Sequence, residues 1–105
     1  MNATLRMRQY QQQAISTASP EQIILKLYDL GIAACRRDDR SKLRSVLVEL
    51  LSSLNFEEGG EIAQRLADLY AYCMEKSAAG DLREVEELLS GLRDAWKGVL
   101  ARKAA

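Results

Sequence analysis

Ser19-Pro20-Glu21-Gln22-Ile23-Ile24-Leu25-Lys26-Leu27-Tyr28-Asp29-Leu30-Gly31-Ile32-Ala33-Ala34 is the stretch that decides the fold. The Ser19 hydroxyl can accept the amide N–H of Gln22 while the Gln22 side chain reaches back, the reciprocal arrangement of a capping box. Pro20 falls at the first helical position, where a missing N–H costs nothing. Beyond it Ile23, Leu27, Leu30 and Ala34 recur on one stripe, and Ile24, Tyr28 and Gly31 form an adjoining strip. The spacing predicts a helix from Pro20 to about Arg37. Gly31 in its interior costs about 1 kcal/mol relative to alanine, which points to close approach of another chain at that position.

The remainder of the chain repeats this grammar. Arg36-Arg37-Asp38-Asp39-Arg40 is a polar turn in which Asp38 or Asp39 caps the next helix. Leu43, Leu47, Leu50 and Leu54 then repeat in a 4-3-4 pattern, the seam of a bundle helix over 40–54, with Val46, Val48 and Leu51 widening it. After Asn55-Phe56-Glu57-Glu58-Gly59-Gly60 a third helix is expected over 61–79, with Ile62, Leu66, Leu69 and Cys73 as its stripe. Gly80 suits a helix C′ position. Asp81 with Glu84 makes a capping-box-like start to a fourth helix over 82–102, whose stripe is Val85, Leu88, Leu92, Ala95 or Trp96, and Val99. Trp96 reads as core, and the Gly59-Gly60 pair as tight backbone geometry. Short connections between such helices imply antiparallel neighbours. The fold class is therefore all-α, an antiparallel up-down four-helix bundle (19–105) preceded by an N-terminal arm or short helix (1–18).

Composition agrees and removes several functions. Ala and Leu supply 30 of the 105 residues, against 11 for Val, Ile and Thr together. The 15 basic and 15 acidic side chains cancel, which argues against nucleic acid as a partner. No apolar run approaches the ~20 residues of a membrane span, and the first residues lack the apolar stretch of a secretion signal, so a cytoplasmic protein without membrane insertion is expected. Histidine is absent, removing the usual general base and metal ligand. Cys35 and Cys73 have no CxxC partner and read as small buried hydrophobes. The adjacent Glu57 and Glu58 suit a helix N-terminus better than acid–base chemistry. No enzyme, no catalytic residue, no metal and no cofactor is expected.

Charge is uneven: residues 1–55 hold eight basic and five acidic groups, residues 56–105 seven and ten. The difference could orient the two hairpins against each other. Residues 1–18 differ in kind, with Gln9 and Gln11-Gln12-Gln13 around Tyr10 and only weak helical spacing from Leu5, Met7, Ala14 and Ile15. They are too polar to build a core helix and apolar enough to lie over one.

Three blocks resemble the flagellin export chaperones (FliS family). The first runs from Tyr10 to Asp29 and holds a Tyr-bearing arm, Thr17-Ala18-Ser19-Pro20 and the closing Leu27-Tyr28-Asp29. The second runs from Leu54 to Tyr72 and holds Gly59-Gly60-Glu61-Ile62-Ala63 and Leu69-Tyr70-Ala71-Tyr72. The third, Leu89 to Lys97, holds Leu92-Arg93-Asp94-Ala95-Trp96. The resemblance covers nearly the whole chain, with one departure: the hairpin of the second and third family helices is shortened by several turns around Arg36 to Ser45.

What the resemblance implies is a binding module that holds the disordered C-terminal segment of flagellin in the cytoplasm. It would prevent premature polymerisation and deliver the subunit to a component of the flagellar type III export gate. The arm, with Tyr10 and Ile15, would cover an apolar groove. Ile24, Leu27, Tyr28 and Gly31 on the first helix and Val48 and Leu51 on the second would meet the client. A disordered segment laid into a groove is recognised by spaced apolar anchors, and the wide apolar faces of these two helices supply such a surface. A monomer or weak homodimer is expected. The alternative is a helical adaptor or homodimer that uses the same face for a different partner.

Overall fold

A computed structural model describes the backbone of residues 20–104 and the side chains of residues 20–102. Four helices follow in order: α1 (Pro20–Arg36), α2 (Arg40–Ser52), α3 (Phe56–Ala79) and α4 (Leu82–Ala104). The Ser19 cap, the arm and its residues Tyr10 and Ile15 lie outside the described residues.

The turn between α1 and α2 ends one helix and starts the next with adjacent aspartates. Asp38 takes the left-handed conformation, φ 54°. The Asp39 amide then donates to the Ala34 carbonyl (2.9 Å) and the Asp38 amide to Cys35 (3.2 Å), the Schellman pattern. Asp39 caps α2 by accepting from the Lys42 amide. At the next junction the Asn55 side chain accepts from the Glu58 amide. One helical turn follows before Gly60 breaks the run at φ 51°, ψ −122°, and the long part of α3 starts at residue 61, where the sequence places it. Only glycine adopts that backbone without strain.

Two capping expectations are corrected. Gly80 is extended (φ −133°, ψ −163°) rather than left-handed. The Gly80 amide still donates to the Lys76 carbonyl at 2.9 Å, and the end of α3 is also held from outside: Arg40, the first residue of α2, donates to the carbonyls of Ser77 (2.6 Å) and Gly80 (2.9 Å). Asp81 caps α4 through the Arg83 amide, 2.9 Å, but Glu84 closes no box, because its carboxylate accepts from the Tyr72 hydroxyl at 2.7 Å.

The helices form a ring in which α1 touches α2 and α4, and α3 touches α2 and α4. Cross-helix pairs show the directions. Arg36 pairs with Glu86 and Asp29 with Arg93, so α4 descends as α1 rises. Arg40 reaching Ser77 gives the same relation for α2 and α3. The up-down antiparallel bundle follows, as the sequence predicts.

The core is Leu27, Tyr28, Ile32, Ala34 and Cys35 of α1, Leu43, Val46, Leu47 and Leu50 of α2, Tyr70 and Cys73 of α3, and Leu82, Val85 and Leu89 of α4. In α1 the adjoining strip is the deeper one, because a helix with two neighbours buries two stripes. In α3 the expected stripe holds at Cys73, which is buried, and at Leu66, which packs on the core, but Ile62 is 70% exposed and Ala63, Tyr70 and Ser77 point inward beside it. Gly31 does serve close approach, but from within the chain. A Cβ there would stand 3.0 Å from Leu89 Cδ1 and 3.3 Å from Val46 Cγ1.

Candidate functional site

Where α1 begins and α2 ends, the two antiparallel helices leave a groove of about 320 Å³ lined by Pro20, Ile23, Ile24, Leu27, Glu49, Ser52 and Ser53. Its walls are unlike. The α1 wall is apolar throughout. The α2 wall carries one carboxylate and two hydroxyls, and both hydroxyls are already engaged: Ser52 donates to the Val48 carbonyl at 2.9 Å and Ser53 to the Leu50 carbonyl at 2.7 Å. A helix seated here would meet aliphatic surface on one side and polar surface on the other.

Of the residues that sequence reasoning assigned to a partner, Ile24 and Leu27 line this groove. Leu27 is the deeper, at 8% exposure. Val48 and Leu51 belong to α2 but not to the groove: Val48 is on the surface, and Leu51 is half-buried against the core. Tyr28 and Gly31 are corrections, since both are buried inside the bundle. Only that part of the strip faces the other helices of the bundle, whereas Ile24, one turn earlier, opens on the groove. Pro20, Ile23, Glu49, Ser52 and Ser53 were missed. Ile23 stands on the predicted stripe and Pro20 was read only as a helix start. Polar residues near the end of a helix carry no pattern that marks a groove wall.

Behind the groove the core carries a polar chain. Trp96 Nε1 donates to the Tyr28 hydroxyl at 3.0 Å, and the Tyr28 and Tyr70 hydroxyls lie 2.6 Å apart. The chain joins α4, α1 and α3 next to Leu27. Burial raises the ionisation of both phenols above the ordinary range, so both remain neutral hydrogen-bonding groups. Cys35 and Cys73 are likewise pushed up to about 11, chiefly by burial. At neutral pH both are protonated and unreactive. Among the described residues no titratable cluster is assembled at the groove. Its chemistry is that of recognition: an apolar trough with one charged edge, in a helical bundle, which defines a binding module.

Comparison with known proteins gives that module its family. The model of the family described as "Flagellar protein FliS" matches residues 36–103. The flagellar secretion chaperone FliS of Salmonella typhimurium is 32% identical over 108 aligned positions, covering 82% of this chain and 80% of the relative. That of Campylobacter jejuni is 26% identical over 120 positions, with 94% of each chain covered. That of Bacillus subtilis is 29% identical over 107 positions, with 84% and 80% covered. The chain belongs to the FliS family. No solved structure matches it. An alignment of 120 positions is longer than the 105 residues present here, so the Campylobacter relative carries residues with no counterpart in this chain. Membership in a chaperone family agrees with the expectation of a binding module and not an enzyme. Among the described residues no helix is long and apolar enough to cross a membrane.

Proposed function

We propose that the protein is a cytoplasmic export chaperone for flagellin. It holds the C-terminal segment of the subunit, prevents premature polymerisation and presents the cargo to a component of the flagellar type III export gate. The observation that carries this reading is the groove between α1 and α2 in a chain of this family. An amphipathic segment that is disordered when free can fold into such a groove through spaced apolar anchors, with Ile24 and Leu27 as the floor. The ordering entropy of the client is lost on binding, so a wide surface gives only moderate affinity and easy release.

Residues 1–18 serve as a cover on the same groove, with Tyr10 and Ile15 as its apolar contacts. Pro20 stands at the groove lip, which supports this role because the cover is tethered there. A cover that closes for part of the time lowers the apparent client affinity by the open fraction and shields Ile23 and Ile24 from self-association. The resting protein is a monomer or weak homodimer.

Calorimetric titration with the C-terminal segment of flagellin from the same organism tests the reading. A 1:1 complex with a large negative heat-capacity change is expected, the mark of apolar burial coupled to folding. Deleting residues 1–16 should tighten binding. Absence of any complex would reject the assignment.

A further inference from the structure

Helix α1 carries two apolar stripes side by side. Ile23, Leu27, Leu30 and Ala34 form one, and Ile24, Tyr28 and Gly31 form the other, one residue on. Apolar burial is non-directional, so it discriminates weakly between rotations of α1 that exchange neighbouring positions. A hydrogen bond fixes both a distance and an angle. Tyr28, wholly buried, bears the one polar group on either stripe. Its hydroxyl accepts from Trp96 Nε1 of α4 at 3.0 Å and lies 2.6 Å from the Tyr70 hydroxyl of α3. Those two helices touch each other least, so α1 is gripped from two separate supports. Turning α1 by one residue would carry the Tyr28 hydroxyl away from both and leave the Trp96 N–H and the Tyr70 hydroxyl without it, a costly loss in the core.

The consequence falls on the groove. Leu27, the preceding residue, and Ile24, one turn back, line its α1 wall, and the rotation of α1 sets the angle at which they are presented. We infer that Tyr28 is a positioning residue for the partner groove: held by Trp96 and Tyr70, its hydroxyl locks the rotation of α1 that offers Ile24 and Leu27 to a client segment. This rests on the export-chaperone reading and adds to it what keeps the seat in register before a client arrives. Without the hydroxyl, α1 samples neighbouring rotations, and the apparent affinity falls by the fraction of time the seat is formed. Tyr28 acts through Leu27 and never touches the client.

The test follows association and dissociation rates of the full chain with the C-terminal flagellin segment from the same organism. Tyr28→Phe keeps the ring and removes the hydroxyl. It should slow association roughly tenfold, the order expected for unpaired buried groups, and leave dissociation as in the parent, because the bound client holds the register. Tyr70→Phe keeps the bond from Trp96 to Tyr28 and should slow association less. Ile24→Ala removes a groove contact and should act chiefly through faster dissociation. Val85→Ala truncates a fully buried side chain level with the far end of α1, where Glu86 pairs with Arg36, and should bind at parent rates despite its lost stability. Thermal melts set a temperature at which every variant is folded. Parent-like association in Tyr28→Phe, or a loss confined to dissociation, overturns the positioning role and leaves the chaperone reading intact. Equal slowing in Val85→Ala also overturns it, by assigning the effect to general loosening. No complex with the parent chain overturns both.

Discussion

Helices α1 and α2 span 17 and 13 residues and bury six and four of them, whereas α3 spans 24 and buries four. Helix α4, at 23 residues, buries Leu82, Val85 and Leu89 among its described side chains. The hairpins differ in how they are held as well. The long partners α3 and α4 follow each other in sequence yet touch least, while α1 and α4, the two outermost helices in sequence, touch most. Gly31 makes that seam possible by letting Leu89 and Val46 come against the backbone of α1. Two exposed pairs, Arg36 with Glu86 and Asp29 with Arg93, flank it, and pairs of this kind add little stability of their own. The first hairpin is thus the core of the molecule, and the second is a sheath that keeps apolar side chains such as Ile62 and Phe56 on its surface. The groove opens at the end of the first hairpin, where Pro20, Ser52 and Ser53 are exposed and Leu27 anchors its wall to the core. A site on rigid elements holds its geometry.

The contrast is sharpest in paired substitutions. Leu47→Ala, at a fully buried position of α2, should lower stability by about 2–5 kcal/mol. Ile62→Ala on α3 should change it by no more than about 0.5 kcal/mol. Denaturant unfolding measures both, and equal losses would break the division into core and sheath.

Tyrosine hydroxyls give the next largest difference. Tyr28→Phe leaves Trp96 Nε1 and the Tyr70 hydroxyl without their shared partner, a loss of about 1–3 kcal/mol. The emission of Trp96, the single tryptophan, should shift with it. Tyr72→Phe removes only an exposed bond to Glu84 and should stay within about 0.5 kcal/mol. Thermal melts followed by fluorescence separate the two.

Glycines give the smallest effects, of opposite sign. Gly31→Ala should cost about 1 kcal/mol, because the added methyl pushes on Leu89 and Val46 inside a filled core. Gly91→Ala on α4 meets nothing within 4 Å and should add about 0.5–1 kcal/mol through helix propensity. A gain at both positions would mean the α1–α4 seam is looser than its distances imply.

Most helix positions were legible because capping and periodicity are local. Asp39 and Asp81 stand at helix starts, and Gly60 marks the break before the long part of α3, while the extra turn that Asn55 caps at Phe56 was read as connection. Predictions failed where a second helix had to be known. The α3 stripe keeps Leu66 and Cys73 but loses Ile62 to Ala63 and Tyr70 because α3 packs between α2 and α4, and single-helix periodicity leaves that angle open by about one residue. Glu84 gave its carboxylate to Tyr72 instead of a cap for the same reason: the competing donor comes from another helix. Half of the groove was readable, since Ile24 and Leu27 are conspicuous apolar residues. Its polar wall was not, because Glu49, Ser52 and Ser53 look like ordinary solvent positions on α2.

By itself the sequence determined the helical class, the order of four helices, the turns that set them antiparallel and the family blocks along the chain. All of these rest on interactions between residues a few positions apart. Tertiary structure alone decided that Tyr28 and Gly31 turn inward, that Arg40 helps to close the end of α3, and that Glu49, Ser52 and Ser53 face an aliphatic wall across the groove. Those outcomes depend on which side chains from distant positions reach the same few ångströms, and packing at that range selects among rotations that local pattern leaves nearly equal.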